Sequence, residues 1–140
     1  MCIKQVSVFV DNKNGSIAQV ISLLGQSELV IKALSVADAA DFGILRLIVD
    51  DPEKACAVVQ ANGYKAKIAQ TLGVAVSNRA DELGKVLNVL KEHDIAVTYI
   101  YSVIGNGQDR TVYIIKTPDL AQTEKLLADN GAEIVKQEQL

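Results

Sequence analysis

The chain repeats itself. Sliding the sequence by 66 residues lays Val8 on Val74, Val10 on Val76, Asn12 on Asn78, Val20 on Val86 and Leu24 on Leu90. Further along, Ile48 falls on Ile114, Pro52 on Pro118 and Ala55 on Ala121. After the prolines the second copy carries two extra residues, so that Asn62-Gly63 meets Asn130-Gly131. A period held across nearly all of the 140 residues constrains the fold more than any single motif. Whatever unit forms once must form twice. A unit this small leaves a sheet face and a strand edge for its twin to cover.

Each copy reads the same way. Val6, Val8 and Val10 alternate with Ser7 and Phe9, and Leu72, Val74 and Val76 repeat the alternation, the period-two signature of a strand. A turn-rich stretch follows. Ile17, Val20, Ile21 and Leu24 then fall at i, i+3, i+4 and i+7, which places them on one face of a helix, as do Leu83, Val86, Leu87 and Leu90. Two apolar stretches come next, near 29–37 and 44–49 in copy one and near 95–104 and 110–116 in copy two. Gly105-Asn106-Gly107 reads as a hairpin turn. Pro52 and Pro118 suit the first turn of a second helix, and the Asn-Gly pairs its end. A short last strand is predicted near 64–68 and 132–136. The order β-α-β-β-α-β, taken with right-handed crossovers, gives an antiparallel four-stranded sheet with both helices on one face. The predicted fold class is therefore α+β: two ferredoxin-like βαββαβ modules in tandem, domain one over 1–68 and domain two over 69–140. Ala69-Gln70-Thr71 is the only room for a linker.

Composition narrows the function. Apolar residues make up 49%, enough for a sizeable core, and charged residues an ordinary 22%. With 14 basic and 17 acidic side chains and no Lys/Arg block, nucleic acid and anionic membrane are poor partners. No stretch of about 18 apolar residues could span a membrane. The opening MCIKQVSVFVD lacks the pattern of a signal peptide, so a cytoplasmic location is expected. Cys2 and Cys56 form no CxxC pair and His93 is the single histidine, which argues against a disulfide framework and a zinc site. Cys56 is expected to fill a helix face, and His93 to be a solvated helix-end residue. No metal and no cofactor are expected.

Catalysis finds little support. No nucleophile elbow and no phosphate loop occur. Asp50 and Asp51 are adjacent and point apart, and Asp51 before Pro52 is a plausible N-cap. The stretch that stands out is DNKNGSIAQV, where the chain turns from a strand into an amphipathic helix. A glycine there allows an unusual dihedral or a close approach. Amides at a helix N-terminus and the helix dipole favour a carboxylate. Asn12 offers a side-chain amide, and Ser16 could cap the helix or bond a ligand. The same residues also describe a well-capped helix start with no ligand, and taken alone they leave both readings open.

The βαββαβ repeat with Asn12-Lys13-Asn14-Gly15-Ser16-Ile17-Ala18 after its first strand resembles the ACT domain, as a stand-alone tandem pair spanning essentially the whole chain. The resemblance implies a regulatory module that binds an amino acid, usually between two paired domains. The ligand would contact the turn after the first strand, where a glycine is characteristic, and often the second strand. Carried over, this nominates Asn12, Lys13, Asn14, Gly15, Ser16 and Ile17, with Val36, Ala37 and Asp38 as a weaker addition. Two departures stand out. Asn14 stands where a proline is common, and in copy two Asp81 replaces the glycine. Asp81 would crowd a ligand, repel a carboxylate and act as an N-cap, so copy one is expected to be the better site. The resulting expectation is a non-catalytic amino-acid sensor, a homodimer with a free amino acid as its small-molecule ligand. The alternatives are a regulatory subunit docking on an amino-acid biosynthetic enzyme and a small enzyme on a ferredoxin-like scaffold.

Overall fold

The computed structural model describes residues 2–11, 14–38, 41–104 and 109–140. The predicted hairpin turn Gly105-Asn106-Gly107 lies outside the described residues. The chain divides into two compact units, one of Lys4–Ala69 and one of Gln70–Leu140 together with Cys2 and Ile3. In order, the elements are β1 (Ile3–Asp11), α1 (Ser16–Gln26), β2 (Ile31–Asp38), β3 (Phe42–Val49), α2 (Pro52–Ala61), β4 (Lys65–Ser77), α3 (Ala80–Glu92), β5 (Tyr99–Ser102), β6 (Arg110–Lys116), α4 (Leu120–Asp129) and β7 (Glu133–Val135).

Within the first unit the strands run β2-β3-β1-β4, with β3 antiparallel to both β1 and β2. Val6 faces Leu47 and Val8 faces Leu45 across the ladder. Residues directly opposite share a face, and these four are buried with Val20 and Leu24 of α1 and Ala55, Cys56 and Val59 of α2. Both helices therefore cover one face. In the second unit the order is β7-β4-β6-β5, again antiparallel. Leu72, Val74 and Ile115 are buried there with Val86 and Leu90 of α3 and Leu127 of α4. This is the ferredoxin-like arrangement, formed twice. Cys56 is buried, and His93 is an exposed C-cap whose Nδ1 lies 2.9 Å from the Val89 carbonyl oxygen.

Three details differ from expectation. No linker separates the copies at Ala69-Gln70-Thr71, because β4 runs through all three. Thr71 is fully buried and its hydroxyl donates to the Ile3 carbonyl at 2.9 Å, a contact that holds this stretch extended. Pro118 is not in the first turn of α4; Asp119 is the N-cap and its side chain accepts from Gln122 N–H. The two extra residues therefore sit ahead of α4. There Thr117 is buried, bonding Thr123 at 2.7 Å and the Asp119 carbonyl. Pro52, by contrast, does open α2 behind the cap Asp51. Lastly, β5 is only four residues long, since regular pairing with β6 begins at Tyr99 opposite Lys116.

Candidate functional site

The strand-to-helix turn of the first unit is built around Gly15. It is the N-cap of α1, at φ 90° and ψ −4°. That is left-handed space, which glycine enters without the steric cost a Cβ imposes. A Cβ built there would meet nothing within 4 Å, so the glycine is required by its dihedral and not by crowding. Among the described residues, none crowds that position. Gln19 N–H donates to the Gly15 carbonyl at 3.0 Å, closing the first turn. The amides ahead of it are those that a helix leaves without intrahelical partners. Among the described residues no side chain caps them, and no acidic residue occupies the first turn. Ser16 is the first helical residue and does not act as the cap.

Of the nominated residues, Asn12 and Lys13 lie outside the described residues. Asn14 and Gly15 are exposed, Ser16 half-buried, and Ile17 is 38% exposed despite its place on the apolar face of α1. Val36, Ala37 and Asp38 lie on the edge strand β2. Asp38 pairs with Gly43, which pairs in turn with Val10 of β1, so Asp38 and Val10 stand in one row with β3 between them. At normal strand spacing that separates β2 from β1 by roughly 10 Å. Val36 shares the helix-covered face with Leu45 and is still 49% exposed, whereas Ala37, opposite Ile44, points to the other face.

The corresponding tip in the second unit is built differently. Its N-cap is Arg79, at φ −75° and ψ 132°, and α3 begins at Ala80, two residues earlier in the repeat than α1. Asp81 is therefore not the N-cap; it is the second helical residue. Without a glycine at this position, the turn that bends the chain in copy one is wound into helix in copy two. Asp81 and Glu82 both lie in the first turn, where a carboxylate complements the helix dipole. Arg79 Nε donates to Asp81 Oδ1 at 3.1 Å. Asn78, the repeat of Asn12, accepts from the Thr111 hydroxyl. This tip carries its own anions and satisfies its own amide side chain.

A second contrast was not drawn from the sequence. Both second helices end on an Asn-Gly pair, with Gly63 at φ 89° and Gly131 at φ 83°. The next amide returns to the helix in each, Tyr64 N–H to Val59 and Ala132 N–H to Leu127. Tyr64 and Ala132 therefore occupy equivalent places. Tyr64 donates its hydroxyl to Gln19 Oε1 on α1, so its ring spans from the turn to the helix. Around Ala132 a cavity of about 320 Å³ lies between α3, the end of β4 and the α4–β7 turn, whereas the opening beside Tyr64 in the first module, about 250 Å³, is lined by Phe9, Val10, Asp11, Phe42, Gly63 and Lys65 and by no residue of α1. The signal was present in the aligned pair Tyr64/Ala132, behind the two-residue offset.

Among the described residues there is no cluster of three or more His, Cys, Asp or Glu side chains that could hold a metal, and no helix is long and apolar enough to cross a membrane. The family model described as "ACT domain pair" matches residues 1–140. Among solved structures, protein BT0572 from Bacteroides thetaiotaomicron is similar at 29% identity and a TM-score of 0.90, covering 99% of this chain and 95% of that one. The ligand-free regulatory subunit of aspartate kinase from Thermus thermophilus shares the fold at 13% identity and a TM-score of 0.65, over 91% and 92% of the two chains. Its counterpart from Thermus flavus does so at 10% identity and 0.62, over 90% of each. No curated protein matches the sequence.

Proposed function

Because the chain belongs to the ACT domain family, as a pair of such domains, we propose that it is a non-catalytic regulatory protein that binds a free amino acid at the α1 tip. The observation that carries this reading is the asymmetry of the two tips. The α1 tip has a left-handed glycine, no carboxylate in its first turn and, among the described residues, nothing within 4 Å of a Cβ placed on Gly15. The α3 tip likewise has no side-chain cap, but it begins on Arg79 instead of a left-handed glycine and carries Asp81 and Glu82 in its first turn. Amides at a helix start are suited to a ligand carboxylate. In this reading Asn12, Lys13, Asn14, Gly15, Ser16 and Ile17 form the site. Val36, Ala37 and Asp38 contribute from the edge strand, of the same chain or of a partner in a homodimer. The two domains would divide at 68/69. Ligand bound across paired modules would favour the paired arrangement by its differential affinity, which is how the signal would leave the site.

A second reading, a regulatory subunit that docks on an amino-acid metabolic enzyme, draws on the whole-length fold likeness to the aspartate kinase regulatory subunits. The two are separable. Isothermal titration against each of the twenty amino acids should find one that binds, and Gly15→Asp should abolish that binding by straining the left-handed cap and adding a repelling charge. Binding unchanged in Gly15→Asp would remove the α1 tip as the site. No amino acid bound, together with co-purification of a metabolic enzyme from native extract, would favour the second reading.

A further inference from the structure

We propose that the cavity of the second module is a binding site for a small single-ring aromatic molecule bearing a carboxylate. The inference is independent of the α1 tip. It starts from what fills the same place in the first module. There the phenol ring of Tyr64 reaches from the turn after α2 to α1 and donates its hydroxyl to Gln19. The ring packs against the module's core. In the second module the turn after α4 has the same backbone, a left-handed Gly131 and an Ala132 amide bonded to Leu127. The tyrosine side chain is gone, and Ala75 stands where the first module has Phe9. The cavity measures about 320 Å³, at the lower end of the range for small-molecule pockets, and unlike the opening of about 250 Å³ beside Tyr64 it reaches the first helix of its module.

The walls define the occupant. Val86, Val89 and Leu127 supply an apolar floor of the kind that receives a ring. Lys85 stands at the repeat position of Gln19, which accepts from Tyr64. A lysine only donates, so the polar group that replaces the tyrosine hydroxyl must accept, and a carboxylate does so best. Lys85 now meets Glu82 at 3.2 Å, in a pair whose lysine side chain is 71% exposed. Such a pair is weakly held and easily exchanged for a ligand. The third charged group, Glu133, is already engaged by Arg110 in a two-pronged contact and leaves Lys85 as the cation facing the cavity.

The test is a two-dimensional amide NMR titration of the full chain with sodium benzoate, phenol and cyclohexanecarboxylate. Benzoate should shift the amides of Val86, Val89 and Ala132 saturably in the millimolar range or tighter. Phenol and cyclohexanecarboxylate should bind more weakly. Ala132→Tyr, which restores the first module's plug, should eliminate the response. Lys85→Met should weaken benzoate about tenfold, the scale of one lost hydrogen bond to a charged group, and leave phenol unchanged. Tyr64→Ala should open a second responsive site around Gln19 and Val20. Should Ala132→Tyr not fold, the Lys85→Met comparison decides alone. An absence of saturable shifts with benzoate, or shifts indifferent to both variants, overturns the proposal.

Discussion

The two modules share one frame and are open at different places. In the first, the helix tip is bare: a left-handed glycine, uncapped amides and no carboxylate in the first turn. The groove beneath that helix is bridged by Tyr64 and Gln19. In the second the arrangement is reversed. The helix tip holds Asp81 and Glu82, and beneath the helix lies a cavity of about 320 Å³ at Ala132, where the first module's opening of about 250 Å³ beside Tyr64 does not reach its helix. Duplication fixes the scaffold, since every core position must be kept twice. It leaves the ends of strands and helices free to diverge, because little packing depends on them. The lesson is that two copies of one fold need not be two copies of one site.

Variants at repeat-equivalent positions can break or sharpen this comparison. The core comes first. Leu24 and Leu90 are each 1% exposed, and truncating either to alanine should cost about 2–5 kcal/mol in urea unfolding. A much smaller loss at one would show that its core is the looser and that the frames are not alike. Next is a pair on the opposite sheet face, Ser7 and Gly73. Ser7 is buried and accepts from Gln5 Nε2 at 3.0 Å. A Cβ on Gly73 would lie 2.4 Å from Ile3 Cδ1 and 3.4 Å from the Val135 Cβ. Gly73→Ser should therefore destabilise by roughly 1–3 kcal/mol, as overpacking does. Unchanged stability would mean that Ile3 has room to move aside.

The caps should behave alike. Asp51 accepts from Lys54 N–H and Asp119 from Gln122 N–H, both at 3.1 Å. Alanine at either should cost about 1 kcal/mol, measured by thermal unfolding. The smallest effect separates the modules by pH. The Val30 N–H bonded to Asp50 at 2.9 Å holds that carboxyl below its ordinary value of 3.8. A depressed carboxyl stabilises the fold above its ordinary value and ceases to do so as pH falls through the lowered one. The repeat of Asp50 is Lys116, which donates to the Gln70 carbonyl instead. Asp50→Asn should therefore lower the melting temperature slightly at neutral pH and not at all once the carboxyl is protonated. Hydrogen exchange should place the loss in the first module alone.

Much of the fold could be read from the sequence because the repeat tests each assignment twice. Val8/Val74 and Leu24/Leu90 are single observations made double. The join between copies escaped because Ala69-Gln70-Thr71 looks like a linker by composition. Burial of Thr71 against Ile3 is a long-range contact that no local pattern encodes. Asp81 was misread as a cap for a related reason. Its residue type suits an N-cap, but which residue starts the helix was decided by the absence of a left-handed glycine. The open dihedral at Gly15 was legible, since an Asn-Gly step between strand and helix periodicities has few other uses. The cavity was harder to read: its one signal, Tyr64 against Ala132, lies behind the two-residue offset, and the space itself depends on how α3 and the α4–β7 turn pack.

One consequence of the continuous β4 concerns how the chain can be cut. Ile3 packs over Gly73 and accepts from Thr71, so it belongs with the second unit although it precedes the first. A fragment made by dividing the sequence at the repeat boundary would separate that isoleucine from its seat. The C-terminal half alone would carry an unfilled notch above Gly73, and restoring it would require grafting a short leading segment rather than adding residues at the join. The halves are thus alike as sequences, but the line along which they repeat is not the line that divides the chain into its two units.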